Sequence, residues 1–392
     1  MSSRESQRIL VRGVNWLGDA VMTTPAMLRL REFRPDAHIT LLTHVKLRDV
    51  WQGHPAIDAV ETFSEDDGVL RIGRRLRAGK FDVGLVLPNS PRSALELWRA
   101  GIPQRIGHAG RWRNWFLTQA VAPRPDAMTM HKRSKEEIEQ LIGPGGVRAM
   151  IVQPAGAHHI YQYLNLTTAM GAKPEPLPPK LSVSEEAVAQ FVSKFKLGVN
   201  ASEAPRWFGL NAGAEYGPAK RWPEERFTAA AIEIQKRTRC RWLIFGLKTE
   251  KEAAERMAAA IQRAAEKEFG REATAGNPYV VSLAGITSLG ELCAGLKFCQ
   301  VVLTNDSGPM HVAAALGTPV VVPFGSTSPE LTGPGLPGDA RHQLLRANVP
   351  CSPCFLRECP IDFRCMKGIG VEEVVKAVLT AGQRDVTTPG LF

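Results

Sequence analysis

The hydrophobic pattern of the chain is most regular in residues 301–325. An apolar run over 301–304 is followed by a polar turn over 305–309, an apolar helix that begins near Met310, and a second apolar run over 320–324. Short apolar runs bounded by turn residues are typical of buried strands, and a helix between two of them makes the strands parallel. This stretch predicts half of a parallel βαβ layer.

A similar alternation of apolar strands and helices covers most of the chain. In the first part, strands are predicted at residues 8–12, 38–43, 58–62 and 81–87, and helices at 20–33 and 93–100. After residue 205, further strands are predicted at 206–211, 241–245 and 279–283, and helices at 224–237, 250–269, 288–296 and 371–379. Alternating strands and helices predict doubly wound parallel sheets, and two such series predict two α/β domains.

A proline-rich stretch marks the predicted domain boundary. Five prolines lie between residues 171 and 205, around one amphipathic helix at 184–195. We therefore predict an amino-terminal domain and a carboxyl-terminal domain separated by a linker, followed by a helix and tail that could pack across either domain. The boundaries are 1–180 for the first domain, 181–205 for the linker, 206–370 for the second domain, and 371–392 for the tail.

Composition limits the class of protein. The chain has 392 residues, too many for one hydrophobic core, and its 44% apolar residues are typical of a soluble globular protein. Residues 1–19 carry charges where a signal sequence needs an apolar core, and no run of about 18 apolar residues occurs. We expect a cytoplasmic protein without a membrane span, whose seven cysteines are reduced thiols or metal ligands.

The basic charge of the chain indicates an acidic partner. The net charge is +10, and residues 84–133 contain eight basic and two acidic residues. Such a bias favours nucleic acid, an anionic membrane surface or a phosphorylated acceptor as the partner. A solvated basic surface is the alternative.

The turn at 305–309 carries the first candidate chemistry. A turn between a strand's carboxyl end and a helix's amino end collects unpaired N–H groups and the positive end of the helix dipole, which together suit a diphosphate. Ser307 and Gly308 would present those amides, and His311 lies one turn inside the helix. Asp306 and Ser307 can cap this helix. The alternative is an ordinary capped helix with His311 on a solvent-exposed face.

Two further residues could take part in catalysis. Asp19 stands where the first helix begins, so it is either an N-cap or a general base for an acceptor hydroxyl. Lys220 lies between a small-residue turn containing Gly213 and a Trp-Pro helix start, where a lysine can neutralise phosphate charge on a leaving group. The alternative for Lys220 is a solvated surface lysine.

Four late cysteines form a C-x2-C-x4-C-x5-C pattern: Cys351, Cys354, Cys359 and Cys365. The first pair has the spacing of a zinc knuckle, but the later spacings do not match common zinc modules. Reduced, packing cysteines are the favoured interpretation, and a closed structural metal site is the alternative. We assign no metal and no cofactor.

Four segments along the chain carry a family pattern, in this order: WLGDAVMTTPAMLRLR, AKRWPEERF, TNDSGPMHVAAALGTPVVVPFGSTSPE and CSPCFLRECPIDFRCM. Together they resemble glycosyltransferase family 9, the ADP-heptose:lipopolysaccharide heptosyltransferases, and most of all its heptosyltransferase II branch. The resemblance extends from about Ile9 to Gly368. One such motif alone would be weak, but all of them in order are specific.

The resemblance implies a GT-B architecture, in which two Rossmann-like domains face a cleft, and an inverting sugar transfer without a metal ion. It makes Asp19 the general base and Lys220 a phosphate-binding residue of the catalytic site. The donor-binding residues that it implies are Gly213, Lys220, Asp306, Ser307, Gly308, His311, Ser326 and Thr327. The acceptor-binding residues that it implies are Arg92, Arg105, Arg111 and Arg113.

The resemblance also implies partners. The donor is ADP-heptose, and the acceptor is the anionic core of lipopolysaccharide at the inner membrane surface, so we expect a cytoplasmic enzyme that is peripheral to the inner face of that membrane and has no nucleic acid partner. One departure concerns the ribose contact, because Gly246 is followed by Leu247-Lys248-Thr249-Glu250, in which Glu250 could substitute for the family's acidic residue.

Two alternatives remain. The first is a related family 9 transferase that uses another nucleotide sugar or another acceptor position. The second comes from a different class and is a zinc-containing nucleic-acid-binding protein, for which the basic charge and the C-x2-C pair would be the evidence. The second alternative leaves the paired α/β domains unexplained.

Overall fold

The computed structural model describes residues 6–145, 150–198, 206–270 and 278–383. The chain forms two compact units, each built around one six-stranded sheet. The first unit contains the described residues up to Met128 together with Gly156–Ser182, and the second contains the rest. Every strand pairing in both sheets is parallel, so the predicted doubly wound α/β fold is confirmed.

The sheet of the first unit has the order β3-β2-β1-β4-β5-β6. Its strands are β1 (Arg8–Arg12), β2 (His38–His44), β3 (Ala59–Phe63), β4 (Val83–Val86), β5 (Gln104–His108) and β6 (Gln119–Val121). Helices α1 (Leu17–Phe33), α2 (Val69–Arg77) and α3 (Pro91–Arg99) connect them; α4 (Lys135–Ile142) belongs to the second unit, and α5 (Ile160–Thr168) returns to the first. The strand order reverses between β1 and β4, and such a switch point opens a crevice at the strands' carboxyl ends.

The sheet of the second unit repeats this plan with the order β12-β11-β10-β7-β8-β9. Its elements are α6 (Glu185–Lys194), β7 (Trp207–Asn211), α7 (Glu224–Thr238), β8 (Arg241–Ile244), α8 (Lys251–Phe269), β9 (Val280–Ser282), α9 (Leu289–Phe298), β10 (Val302–Thr304), α10 (Gly308–Ala315), β11 (Val320–Phe324), α11 (Pro329–Thr332), β12 (Gln343–Arg346), α12 (Arg364–Lys367) and α13 (Val371–Gly382). Here the strand order reverses between β7 and β10. The predicted diphosphate turn follows β10 at this switch point.

A large hydrophobic cluster packs on the face of the second sheet that carries Phe208 and Leu210. Trp222, Phe227 and Trp242 are fully buried, and Val374 and Val378 of α13 pack into the same cluster. The carboxyl-terminal helix, which the sequence allowed on either domain, therefore belongs to the second unit. Among the described helices, none combines the length and the apolar character needed to cross a bilayer.

The two units divide the chain differently from the predicted domains at residues 129–155 and at the predicted linker. Residues 129–155, predicted to belong to the first domain, lie in the second unit. The backbone N–H of Arg133 donates to the carbonyl of Cys354 at 3.1 Å, and the N–H of Met150 donates to Asn348 Oδ1 at 3.0 Å. Helix α6, predicted as part of a linker, packs on α9 instead.

Candidate functional site

The candidate donor site lies at the switch point of the second sheet. Asn211, the last residue of β7, pairs in register with Thr304, the last residue of β10. Asn211 Nδ2 donates to Thr304 Oγ1 at 3.1 Å and to Ser307 Oγ at 3.2 Å. The polar turn after β10 is therefore fastened to the end of the neighbouring strand, where α/β sheets of this order bind their ligands.

A second polar residue joins the two loops of this site. Asn305 is fully buried, its Oδ1 accepts the backbone N–H of Trp222 at 2.9 Å, and its Nδ2 donates to the carbonyl of Ala212 at 2.7 Å. Because a buried amide is costly unless its donors and acceptors are satisfied, these bonds fix the loop before α7 against the turn before α10.

Lys220 and Asp306 form an ion pair between these loops. Lys220 Nζ lies 2.7 Å from Asp306 Oδ2, and only 13% and 4% of the two side chains are exposed. Thr327 Oγ1 donates to the same carboxylate oxygen, and the Lys220 ammonium lies 4.8 Å from the centre of the Tyr216 ring. The solvated-lysine interpretation is therefore wrong, because the ammonium of Lys220 is nearly buried, pairs with Asp306 and lies over the ring of Tyr216.

The amino end of α10 carries no side-chain cap. Ser307 occupies the N-cap position, but its hydroxyl bonds Asn211 and the carbonyl of Asn305, and the Asp306 carboxylate bonds Lys220 and Thr327. The prediction that Asp306 or Ser307 caps this helix is thus wrong. The first amides of a helix lack intrahelical acceptors, so this end of α10 can take an anionic group.

His311 lies one turn inside α10 and is buried, with 6% of its surface exposed. The alternative that placed it on a solvent-exposed face is therefore wrong. Among the other predicted donor residues, Thr327 contacts Asp306 as described, whereas Ser326 faces the cysteine segment through its carbonyl. That carbonyl accepts the backbone N–H groups of Cys354, at 3.1 Å, and Phe355, at 2.6 Å.

Gly213 makes room for a carboxylate. A Cβ atom at this position would lie 2.2 Å from both carboxylate oxygens of Glu250, of which Oε2 also accepts the backbone N–H of Leu247 at 2.8 Å. Glu250, singled out in the sequence as a possible ribose contact, therefore lies at the carboxyl end of β7 beside the donor loops. The guanidinium of Arg221 lies 3.8 Å from Glu250 Oε1.

The four late cysteines line one cavity together with Ser326 and Ile138 of α4. Burial raises the pKa of the Cys365 thiol to about 12 and also raises the pKa of the Cys351 and Cys354 thiols, so these groups are neutral at physiological pH. Within the part of the chain that the structure describes, no group of three or more His, Cys, Asp or Glu side chains is arranged to hold a metal ion.

In the first unit, Asp19 lies in the first turn of α1. The helix begins at Leu17, three residues earlier than predicted, and Trp16 occupies the N-cap position without a side-chain capping bond. The N-cap interpretation of Asp19 is therefore wrong. Asp19 instead forms a side-chain hydrogen bond with Tyr163 of α5, and burial, followed by the Asp19 charge, raises the pKa of the Tyr163 hydroxyl well above its usual value.

A buried ion pair supports the loop that leads to Asp19. Arg12, at the end of β1, bonds Glu96 of α3 at 2.8 Å, and both side chains are at most 4% exposed. The same guanidinium donates to the carbonyl of Gly13 and, at 3.1 Å, to Asn15 Oδ1. Sequence reasoning missed Arg12, Glu96 and Tyr163, because their partners are between 84 and 144 residues away and no local motif links them.

The four predicted acceptor arginines occupy different environments. Arg113 is 1% exposed, donates to Asn89 Oδ1 at 3.2 Å, and has its pKa lowered by burial to about 10. Arg105 donates to the carbonyl of Phe116 at 2.7 Å and to that of Ile102. The guanidinium groups of Arg105 and Arg113 thus make hydrogen bonds within the first unit and stabilise its fold.

The other two predicted acceptor arginines remain accessible. The Arg92 side chain is 52% exposed, although it donates to the carbonyl of Asp67 at 2.7 Å. Arg111 is exposed above the ring of Trp112. Arg92 and Arg111 are thus the members of the predicted set whose guanidinium groups reach solvent.

Comparisons with known proteins agree on one family. The model of glycosyltransferase family 9 (heptosyltransferase) matches residues 69–142 and 146–363. Lipopolysaccharide heptosyltransferase 2 of Escherichia coli K12 is 30% identical over 83% of this chain and 85% of its own length, and lipooligosaccharide heptosyltransferase 2 of Haemophilus ducreyi is 28% identical over 83% and 86%. The solved structure of E. coli ADP-heptose lps heptosyltransferase II superposes with a TM-score of 0.72 at 26% identity, covering 96% of this chain and 98% of that one.

Proposed function

The chain belongs to glycosyltransferase family 9, the heptosyltransferase family, and we propose that it transfers a heptose from ADP-heptose to the inner core of lipopolysaccharide. The observation that carries this proposal is the site at the β7–β10 switch point, where Lys220, Asp306 and the uncapped amino end of α10 meet. That arrangement suits the diphosphate of a nucleotide sugar. The names of the relatives, lipopolysaccharide heptosyltransferase 2 and lipooligosaccharide heptosyltransferase 2, support heptose as the sugar and the lipopolysaccharide core as the acceptor.

In the proposed donor complex, the second unit binds ADP-heptose. The amides of Ser307 and Gly308 and the side chain of His311 contact the diphosphate, and Lys220 neutralises part of its charge. Glu250 accepts from the ribose hydroxyls, since its carboxylate lies against Gly213 at the same edge of the sheet. Thr327 keeps Asp306, and through it Lys220, in position.

In the proposed reaction, the first unit binds the acceptor and Asp19 acts as general base. Asp19 takes the proton of the acceptor hydroxyl as that oxygen attacks the anomeric carbon, and the bond to the diphosphate breaks in the same displacement, which inverts the anomeric centre. Lys220 and the amino end of α10 stabilise the negative charge that develops on ADP. This chemistry assigns no step to a metal ion.

In the proposed cellular setting, the enzyme is cytoplasmic and works at the inner face of the inner membrane, where the acceptor is anchored by its lipid. Arg92, whose side chain is 52% exposed, is the proposed contact to the anionic core. Arginine suits this role because its planar group binds phosphate in bidentate fashion.

The test is mass spectrometry of the product formed from ADP-heptose and a truncated lipopolysaccharide that ends at the heptose-acceptor position. We expect the acceptor to gain the mass of one heptose and ADP to be released in equal amount. A parallel panel of ADP-, UDP- and GDP-sugars tests the donor. Transfer from another nucleotide sugar, or to another position of the glycan, would show that the chain is a family 9 transferase of different specificity.

A further inference from the structure

The first unit exposes a pair of tryptophans that the proposed reaction does not use. Trp112 is 59% exposed and Trp115 is 75% exposed, and their rings meet edge to face with 5.5 Å between centres. Beside them in sequence, Phe116 packs edge to face on Trp98 of α3, which is itself 43% exposed. Single exposed apolar residues are common, but a contiguous aromatic cluster on a surface usually marks a contact site.

The loop that carries these indoles is held rigidly. Arg113, between the two tryptophans, is buried and donates to Asn89 Oδ1 and to the carbonyl of Val86. Asn114 Oδ1 accepts the backbone N–H of Gly110 at 2.9 Å, and the N–H of Asn114 returns to the carbonyl of Gly110 at 3.4 Å.

The backbone at Trp112 supports the same conclusion. Its φ of 64° places a bulky aromatic residue in the left-handed region, where such residues are rare. Conformations of this kind persist only where the surrounding structure enforces them, and they are concentrated at functional positions. The exposure of the two indoles is therefore fixed by the fold.

The surface around the tryptophans is basic. Arg111 lies 5.7 Å from the centre of the Trp112 ring, and Arg99 lies 5.1 Å from that of Trp98; both arginines are exposed. The two acidic residues of segment 84–133 do not offset this charge, because Glu96 is buried against Arg12 and Asp126 is paired with Arg124 at 2.7 Å.

We propose that Trp112 and Trp115, together with the exposed Arg99 and Arg111, dock the first unit on an anionic lipid surface. Indole rings favour the boundary between lipid headgroups and acyl chains, because one part of the ring is apolar and its N–H can bond to water or headgroups. Arginines near an anionic membrane add electrostatic attraction to its lipid headgroups. This inference rests on the proposed function, because an acceptor anchored by lipid lies at such a surface.

Charge complementarity favours a lipid surface over other partners. Two exposed indoles on a rigid loop, in a segment whose exposed charges are basic, combine the apolar and cationic contacts of an interfacial anchor. A stacked sugar of the acceptor and a second copy of this chain are the other occupants that the experiment distinguishes.

The experiment measures co-sedimentation of the full-length protein with vesicles, in the absence of donor and acceptor. The probes are vesicles of phosphatidylcholine alone and vesicles of equal parts phosphatidylcholine and phosphatidylglycerol. We expect the wild type to bind the anionic vesicles, and the double variant W112S/W115S to bind them about tenfold more weakly. The variant Leu344→Ala, at a residue 37% exposed on β12 in the other unit, should bind as the wild type does.

Two further readouts identify the correct occupant. Vesicles that carry a brominated lipid should quench part of the tryptophan fluorescence of the wild type, and this quenching should disappear in W112S/W115S. Turnover of a water-soluble acceptor oligosaccharide without acyl chains should be unchanged in the double variant, which also verifies that the variant is folded.

The proposal is overturned if the double variant binds anionic vesicles as well as the wild type does, or if the wild type binds neither kind of vesicle. It is also overturned if the variant loses turnover of the water-soluble acceptor but keeps vesicle binding, which would make the tryptophans a sugar platform, or if gel filtration shows that they join two copies of the chain. Failure of heptose transfer leaves the vesicle result unaffected, so the two proposals fail separately.

Discussion

Lys220 Nζ and Asp306 Oδ2 lie 2.7 Å apart in a nearly buried ion pair that joins the loop before α7 to the turn before α10. The aspartate therefore positions a lysine that belongs to a different segment of the chain, 86 residues away. Because Thr327 donates to the same carboxylate, a third segment contributes to the arrangement. The candidate diphosphate site is in this way assembled before any ligand arrives.

Replacing Lys220 should impair both binding and chemistry. Lys220→Ala removes a cation beside the developing charge on ADP, and we expect kcat to fall by about 10²-fold and ADP to bind more weakly. The measurement is steady-state kinetics together with calorimetric titration of ADP. Lys236→Ala, which removes an exposed lysine of α7, is the matched control. Unchanged kinetics in Lys220→Ala would limit Lys220 to a structural role in its ion pair with Asp306.

The same ion pair should contribute to stability. Removing either partner leaves the other charge nearly buried without its counter-ion, so Lys220→Ala and Asp306→Ala should each destabilise the second unit by about 3 kcal/mol. The double variant should lose less than the sum of the single variants, since neither charge is then left unpaired. Urea unfolding of all four proteins measures this coupling, and strictly additive losses would mean that the pair makes no net interaction.

Asp19 and Tyr163 should affect different quantities from Lys220. Asp19→Asn should abolish turnover and leave ADP binding intact, because the proposed base does not hold the donor. Tyr163→Phe removes one hydrogen bond to the Asp19 carboxylate, and we expect kcat to fall by about tenfold with an unchanged KM for the donor. Nearly normal turnover of Asp19→Asn would remove the base assignment.

Gly213→Ala tests the proposed role of Glu250. The added Cβ would overlap the Glu250 carboxylate, which is the mobile end of its side chain, so the protein should stay folded while the carboxylate is displaced. We expect ADP to bind about tenfold more weakly, consistent with the loss of one hydrogen bond to a charged group. Calorimetric titration should give a similar loss for Glu250→Gln. Unaltered affinity in both variants would place the ribose elsewhere.

Acid should destabilise the second unit through His342. Burial lowers the pKa of this imidazole from 6.5 to about 4, so the unfolded chain binds a proton that the folded chain rejects. The contribution of His342 to stability is therefore fully present above pH 6.5. It is lost as the pH falls towards 4, by up to about 1.4 kcal/mol per pH unit. The variant His342→Asn keeps an acceptor for the Val320 N–H and should flatten this slope in urea unfolding between pH 4 and 7. An equal slope in both proteins would contradict the assignment.

The sequence predicted the strands of both sheets best where apolar runs are long and bounded by turns. Residues 320–324 form β11 as predicted, because a buried parallel strand needs an uninterrupted apolar run. In contrast, β5 was missed: its sequence QRIGH contains one large apolar residue, and pairing with β4 rather than its own pattern makes it a strand.

The candidate site was predictable where a local motif carries it. The segment from Asp306 to His311 is contiguous, and a strand-turn-helix pattern is visible in it. The ion pair of Asp306 with Lys220 and the hydrogen bond of Asp19 with Tyr163 link distant segments, so only the fold brings them together. The prediction that Asp306 caps α10 was wrong for the same reason. Its carboxylate bonds Lys220 and Thr327, which lie in other segments of the chain.

The most direct test of the central claim is a crystal structure of the protein soaked with ADP. The account predicts that the diphosphate lies at the amino end of α10, within hydrogen-bond distance of the amides of Ser307 and Gly308 and of Lys220 Nζ. A diphosphate bound away from this turn, with Lys220 still paired to Asp306 alone, would contradict it.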